Sequence, residues 1–471
     1  MLASIAYAVG AVRRLAIRDP DARRLARGEQ RGRLLRWAFT RLGATFVKVG
    51  QVASSRPDLF SAPVIAQLQT LQDRVPSFAF ARVREIVERG LGTAMTTLFR
   101  EFDRAPIAAG GIAQVHHAVL FDGTEVAVKV LRPDVRARAY RDARLLLWLA
   151  HVAHLVSARA RAADVVGHTR GVVGGIVAQT HLRHEARNYR RFRREFEGDR
   201  TVAFPRTIDQ YCSDDVIVME FIHGVRLDAL RADQMPSVTR ALRGAFFAMC
   251  FEHGLVHADL HPGNVLVRDD GVVVLLDLGL VKHLSPSVIA KVVDFARCLV
   301  IGNAHDLVEH LRHYHACRAD TDWVAVAADA KVFVDDLRRR AIAEIEVTAV
   351  VARLFELARK HRIRPMSELS LVLLGMVTIE GIAKRLDPSA NTMLEIARYL
   401  GPRVAQGAQG AQLARGTRDW QRSAVTGAID IAPAPATPVV RARRSSIPPP
   451  VSEESSRPNI AARRTRRWTM H

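Results

Sequence analysis

The sequence predicts an α+β chain of two lobes: a helical N-terminal extension, a small β-rich lobe with inserted helices, and a mainly helical second lobe. Three observations predict it. Apolar residues recur at helical spacing from Arg31 to about Val75, as in LLRWAFTRLGATFVKVGQV. A β-meander follows, with Thr97–Asp103 and Gln114–Leu120 as strands and Phe121-Asp122-Gly123-Thr124 turning the chain into EVAVKVL. From about Asp233 the pattern is helical again as far as Leu400, interrupted by NVLV and VVVLLD on either side of the turn Arg268–Gly271.

Between these landmarks, Pro76 and Ser77 end the first helical stretch, and Phe80–Gly90 reads as a helix capped by Gly90. Arg136–Ala163 and Val172–Phe196 read as long helices inserted in the β-lobe, and TIDQYCSDDVIVMEFI as two strands around Ser213-Asp214-Asp215. The resulting divisions are a basic helical leader (1–95), a β-rich lobe (96–221), a helical lobe (222–400) and a tail (401–471). The tail combines Gln/Ala/Gly repeats, PAPATP, SSIPPPVSEESS and ARRTRRW. With few large apolar residues it cannot offset its ordering entropy and is expected to be disordered.

At 471 residues, 49% apolar, the chain has enough sequence to bury a sizeable core, which excludes collagen-like, small disulfide-stapled and wholly disordered classes. The formal charge of +21 predicts attraction to nucleic acid, anionic lipid or phosphorylated ligands. Residues 1–50 and 401–471 each carry a net +8, so most of the excess lies at the two ends. The Arg runs lack interleaved aromatics apart from Trp468, and nucleic acid is not expected as a partner. Four cysteines with no CxxC pair fit a reducing cytoplasm.

The start, MLASIAYAVGAVRR, reverses the order of a signal peptide, and no stretch is long enough to cross a bilayer. The best run, Leu145 to Ala158, is interrupted by His151 and His154. The chain is therefore expected in the cytoplasm, or peripheral on the inner face of the membrane. Contact with an anionic surface would come from Leu2, Ile5, Tyr7 and Val9 ahead of Arg13-Arg14. The helix around Leu369–Ile382 is apolar enough for the same role or for a buried core helix.

The most specific segment is Val256-His257-Ala258-Asp259-Leu260-His261-Pro262-Gly263-Asn264, followed by Leu275-Leu276-Asp277-Leu278-Gly279. Asn264 and Asp277 offer the hard oxygens that Mg²⁺ takes while bridging nucleotide phosphates. Asp259 precedes them, placed to accept or orient the proton of a nucleophile. Turn formation explains any one of these residues but not the whole spacing. Upstream, Lys129 in Ala127-Val128-Lys129-Val130 is a mid-strand lysine of the kind that pairs with phosphates. Before it, Ala108-Ala109-Gly110-Gly111 forms a small-residue turn ahead of Gln114, where backbone N–H groups can approach phosphate oxygens. Glu185 is the helical acid chosen to pair with Lys129, and the backbone of Glu220 and Ile222, after Val216–Phe221, would face adenine. Together these describe a protein-kinase-like fold that binds ATP and Mg²⁺. Ala258 stands where regulated protein kinases carry Arg, and LVKHLSPSVIAKVV after Gly279 reads as helix with no room for an activation segment. A small molecule, a lipid or plain ATP hydrolysis fits better than a protein substrate.

The sequence resembles the UbiB-type atypical kinases, also called aarF-domain kinases, over roughly residues 30–390. The resemblance rests on Phe46-Val47-Lys48-Val49-Gly50-Gln51 with Ser54-Ser55-Arg56-Pro57-Asp58-Leu59, the loop ending Gln114-Val115-His116, Glu185-Ala186-Arg187-Asn188, and His257 through Gly279. It implies that the leader packs over the cleft, occludes a peptide site and brings Lys48 and Gln51 to the nucleotide pocket. It also implies a role in isoprenoid-quinone (ubiquinone) biosynthesis or lipid homeostasis, with an isoprenoid lipid or quinone precursor as partner. Two departures stand out. Gly110 and Gly111 interrupt a loop that is alanine-rich in the family, and Gln179 and His181 occupy the places of an acidic pair. The alternatives are a nucleotide-gated lipid- or partner-binding module without turnover, and an aminoglycoside- or choline-type small-molecule kinase.

Overall fold

The leader is three helices joined by breaks that the sequence supplies. In the computed structural model, which describes residues 19–54, 60–71, 76–157, 160–161, 164–299 and 304–405, they are α1 (Pro20–Leu42), α2 (Ala44–Ser54) and α3 (Ala62–Leu68). Gly43, at φ +100, lets the chain turn between the first two. Ala53, Val64, Leu68 and Leu71 form their core, with Leu35, Phe39, Val47 and Phe60 packed around it. Gly50 is buried in this contact, where a Cβ would lie 2.3 Å from Leu71 Cδ1 and 2.6 Å from Phe39 Cδ2. The glycine of Lys-x-Gly-Gln is thus a close-packing requirement. The N-terminal anchor residues 2–14 and the tail beyond 405 lie outside the described residues.

α4 (Phe80–Leu91) runs through Gly90 and ends at Gly92, whose φ of +71 makes the left-handed cap that was expected two residues earlier. Gly90 is instead a close approach, with a Cβ position 2.9 Å from Ser213 Oγ. The 1–95 division placed α4 in the leader, but its Val83, Ile86 and Val87 share a core with the sheet that follows. After a helical turn at Met95–Leu98 come β1 (Phe99–Phe102), β2 (Ala108–Ala109), β3 (Ala113–Leu120) and β4 (Glu125–Leu131). The inserted helices are α5 (Val135–Val156), α6 (Val165–Gln179) and α7 (Leu182–Glu195), with a break at Thr180-His181 inside the single helix expected from 172. β5 (Val202–Ala203) and β6 (Val216–Glu220) complete the run. The first of the two strands expected in TIDQYCSDDVIVMEFI is only a bridge at Thr207 followed by a helical turn at Asp209–Tyr211.

The sheet is antiparallel in the order β1-β3-β4-β6, with β2 on β3. Its alternation decides which side chains reach the cleft. Val126, Val128 and Val130 face α4, so Ala127, Lys129 and Leu131 face the opposite way.

The second lobe adds β7 (Val225–Arg226), α8 (Met235–Ala248) with a π-turn to His253, and the strands β8 (Leu255–His257), β9 (Val265–Val267), β10 (Val273–Leu275) and β11 (Val281–His283). β9 and β10 are the expected hairpin. β8 and β11 were not expected; they pair with each other across 24 residues, and β11 replaces the start of the helix read into LVKHLSPSVIAKVV. That helix, α9 (Pro286–Arg297), begins only after Ser285, whose hydroxyl caps Val288 N–H. α10 (Ala304–Tyr314), α11 (Trp323–Arg339), α12 (Val347–Lys360), α13 (Ser367–Leu386) and α14 (Thr392–Ala405) follow. α13 buries Leu369, Val372, Leu373, Met376, Ile379 and Ile382, so this apolar stretch is core and not a lipid-facing surface. Among the described residues no helix is long and apolar enough to cross a membrane.

Candidate nucleotide and metal site

Three chain segments bring charge to one point between the lobes. β4 carries Lys129 into the cleft, α7 carries Glu185, and the turn after β10 carries Asp277. Lys129 Nζ donates to both Glu185 oxygens at 2.8 Å and to Asp277 Oδ1 at 3.1 Å. Glu185 is 2% exposed. Burial alone would push Lys129 down, but the Asp277 and Glu185 carboxylates outweigh it and hold the ammonium charged. Burial raises the Glu185 carboxyl to about 7, with Lys129 pulling against it. Burial also works against the Asp277 carboxylate, yet Lys129 and Lys48 keep it well below the usual range. Asp277 is therefore the anionic member that faces the open cleft.

The backbone around Asp277 is built to present it. Its φ is +55, a left-handed conformation that Asp tolerates better than most residues. Its N–H donates to Tyr189 Oη at 2.8 Å, and Asn188 Nδ2 donates to Leu278 O at 2.8 Å. Both partners sit on α7 beside Glu185, one turn or less further along. Asn188 entered the sequence reading only as the end of the Glu185-Ala186-Arg187-Asn188 segment, with no role, and Tyr189 was given none, although spacings of three and four from Glu185 put them on its face of the helix.

The loop after β8 faces this group. His257 Nε2–H donates to Leu276 O at 3.1 Å, and its Nδ1 accepts Asp259 N–H at 3.2 Å, which joins the two loops. Burial holds this imidazole below its ordinary value and so neutral, as the acceptor role requires. Asn264 Nδ2 donates to Asp259 O at 3.0 Å, and Leu276 N–H donates to Asn264 O at 2.8 Å. With its amide nitrogen committed, Asn264 has Oδ1 for a cation. Asp277 Oδ1 takes Lys129 and Gly279 N–H, and Oδ2 is the oxygen outside those bonds. An amide oxygen and a carboxylate oxygen on adjoining loops fit a hard divalent ion.

Lys48, from α2 of the leader, donates to Asp259 Oδ2 at 2.6 Å. Gln51 also lines the cleft, but its Nε2 reaches Leu71 O at 3.4 Å and thereby braces the leader. The small-residue turn lines the opposite wall. Gly110 N–H closes the turn on Ala113 O at 2.9 Å, Arg132 Nε donates to Gly110 O at 2.6 Å, and Gly111 and Ile112 face the cavity. Ala108, Ala109, Glu220 and Ile222 line it as well. Gln114 departs from the expectation. Its amide is 1% exposed on the far face of β3, accepting Phe78 N–H at 3.0 Å and lying 2.9 Å from His116 Nε2. It straps the leader to the sheet and takes no place in the cleft. Of the departing pair, Gln179 lines the cavity beside Glu185, whereas His181 turns out to Tyr140 Oη at 3.3 Å.

The whole cavity measures about 1460 Å³, above the roughly 300–1,000 Å³ usual for a small-ligand site. Its lining also takes in α6, with Gly171, Val172 and Gly175, and α13, with Leu371, Leu374 and Gly375, together with charged and polar groups at Asp164, His168, Arg364 and Glu368.

Comparison with known proteins follows this geometry. Residues 70–311 match the model of the ABC1 atypical kinase-like domain, and residues 331–391 match the UbiB helical domain. The chain is 31% identical over 393 residues to a probable protein kinase UbiB of Aeromonas hydrophila, covering 79% of this chain and 70% of that one. It is 30% identical over 374 residues to the uncharacterized protein sll1770 of Synechocystis, covering 78% of this chain and 64% of that relative's length. It is also 30% identical over 402 residues to the chloroplastic protein ACTIVITY OF BC1 COMPLEX KINASE 7 of Arabidopsis thaliana, covering 83% of this chain and 58% of the relative. Among solved structures, Rv3197 of Mycobacterium tuberculosis, solved in complex with erythromycin, superposes with a TM-score of 0.54 at 20% identity. That match covers 75% of this chain and 90% of the other, and it shows a shared fold. The chain belongs to the ABC1/UbiB family of atypical kinase-like proteins.

Proposed function

We propose that the chain is an ATP- and Mg²⁺-dependent phosphotransferase or ATPase, acting on a small apolar acceptor in support of isoprenoid-quinone (ubiquinone) metabolism or lipid homeostasis. The observation that carries the nucleotide reading is the Lys129–Glu185–Asp277 cluster facing Asp259 and Asn264 across one cleft. Mg²⁺ bound at Asn264 and Asp277 would neutralise phosphate charge and hold the transferring group in line. Lys129, fixed by Glu185, supplies a permanent positive charge for phosphate oxygens. The turn at Gly110-Gly111 covers the phosphates, and the backbone at Glu220 and Ile222 takes the base. Asp259 is the proton acceptor, and it works only when Lys48 yields its grip on Oδ2.

Two features favour a small acceptor over a protein. Lys48 of the leader helix already holds Asp259 Oδ2, an oxygen that a peptide hydroxyl would have to reach. Four residues after Asp277 the chain is already in β11, which leaves no activation segment. Val172, Leu371 and Leu374 on the α6 and α13 walls of the cavity leave room for an isoprenoid-type chain beside the polar groups that also line it. The Lys48–Gln51 leader also speaks against an aminoglycoside- or choline-type kinase. The second reading, a nucleotide-gated binding module, draws on the same Lys48–Asp259 contact, since an occupied base favours binding without turnover. Purified chain assayed for ATP hydrolysis and nucleotide binding separates the two. For an enzyme, Asp259→Asn abolishes turnover and spares binding; for a module, only Asp277→Asn affects function.

A further inference from the structure

α5 gathers six of the exposed large apolar side chains on its outward face. Leu145, Trp148, Leu149, Val152, Leu155 and Val156 are each at least 37% exposed, and Val156 reaches 79%. Their spacing of three, one, three, three and one places them on one side of the helix. The other side carries Val135, Ala139, Ala143 and Ala150, which are buried, and α5 packs along α6. The stripe runs over 12 residues, Leu145 to Val156, about 16 Å of helix from first to last. Its N-terminal continuation is basic: Arg138, Arg141 and Arg144 are exposed, and the helix holds one acid, Asp142.

We infer that this face of α5 is the surface by which the chain docks on an anionic lipid bilayer. Apolar side chains with a tryptophan, continued by arginines, match the apolar and charged layers that a bilayer presents in sequence. A second copy of the chain fits less well. In a pair of copies the arginines that continue the stripe would meet like charge or the partner's apolar residues, whereas anionic headgroups answer them. At 22 residues with four arginines and two histidines, α5 lies on the membrane and does not span it. Docking here has a consequence for the cleft. α6, the helix packed along α5, lines the cavity from Asp164 and His168 to Ile176, so the bilayer would meet the protein one helix away from that wall of the site.

The test uses the full chain and co-sedimentation with phosphatidylcholine vesicles, with and without phosphatidylglycerol, at low and high salt. Wild type is expected to bind best to the anionic vesicles at low salt. Leu155→Ser with Val156→Ser should weaken binding to both vesicle types by roughly tenfold or more. Arg141→Glu with Arg144→Glu should reduce the gain from phosphatidylglycerol and leave binding to phosphatidylcholine alone unchanged. Binding unchanged by the serine pair, or no vesicle binding by wild type, overturns the inference. A serine pair that alters the oligomeric state in light scattering while leaving vesicle binding intact also overturns it, in favour of a second copy. Asp277→Asn should bind vesicles like wild type, so the surface and the nucleotide site stand or fall separately.

Discussion

Two lysines meet carboxylates on opposite walls of the same cleft, and their surroundings differ. Lys129 is enclosed by the β-lobe and α7, held by three oxygens from two acids. Lys48 arrives on a separate leader helix and bonds Asp259 through Oδ2, with 13% of its side chain and 27% of its partner's exposed. The first is part of the cleft's architecture, because removing it strands a buried carboxylate. The second is a more solvated contact between a leader helix and the loop after β8. On the proposed reading one lysine builds the site and the other guards it.

The comparison can be broken in order of expected effect. Asp277→Asn removes the anionic oxygen that fits the cation, and turnover should fall by about a thousandfold or more; a steady-state ATPase assay reads it. Lys129→Met should abolish turnover and also lower stability by about 3–5 kcal/mol at neutral pH, because Glu185 loses its counter-charge. Adding Glu185→Gln should restore most of that stability without restoring activity, measured by urea unfolding. If the double variant is no more stable than the single one, the enclosed-pair account fails. Lys48→Ala should cost only about 1–2 kcal/mol, since its pair is partly solvated. Its ATP hydrolysis should rise several-fold as Asp259 is released. A loss of turnover as deep as that of Lys129→Met would show Lys48 to be a builder as well.

Acid pH offers a gentler probe. Burial holds His257 below its ordinary value and His315 down to about 4. A depressed value means that their stabilisation is complete above pH 6.5 and is lost as pH falls below it. His315 accounts for up to about 3 kcal/mol between pH 6.5 and 4. Unfolding followed across that window should show falling stability; a flat profile would contradict the burial. The smallest effect is expected at Gly110→Ala, where a returned alanine should shift relative ATP and ADP affinity by a few-fold. Unchanged affinities would remove any role for the paired glycines in nucleotide preference.

Legibility in the sequence followed range. Asp259, Asn264 and Asp277 lie within one short stretch, so their spacing alone points to a metal-bridged phosphate site. Lys129 was readable because a mid-strand lysine has a fixed side of the sheet. Gln114 was misplaced although the same alternation contains the answer. It lies opposite Val130 in the sheet register and therefore faces α4, while Val115 opposite Lys129 faces the cleft. β8 and β11 escaped notice because three-residue strands have no periodicity of their own and pair only over long range. Tyr189 and Asn188 act through the backbone of Asp277 and Leu278, so even where Asn188 stood in a quoted segment its task could not be read from it. The exposed face of α5 was visible only as an apolar run too short to cross a membrane; its exposure depended on where α6 packs.

The central claim is that Lys129, Asp259, Asn264 and Asp277 form one phosphoryl-transfer site. It is tested most directly by Mg²⁺-dependent ATP turnover of the purified chain against its Asp277→Asn variant, with both shown folded by circular dichroism. The account predicts turnover in the wild type that Mg²⁺ removal and the substitution each abolish. Equal turnover in the two chains would contradict it.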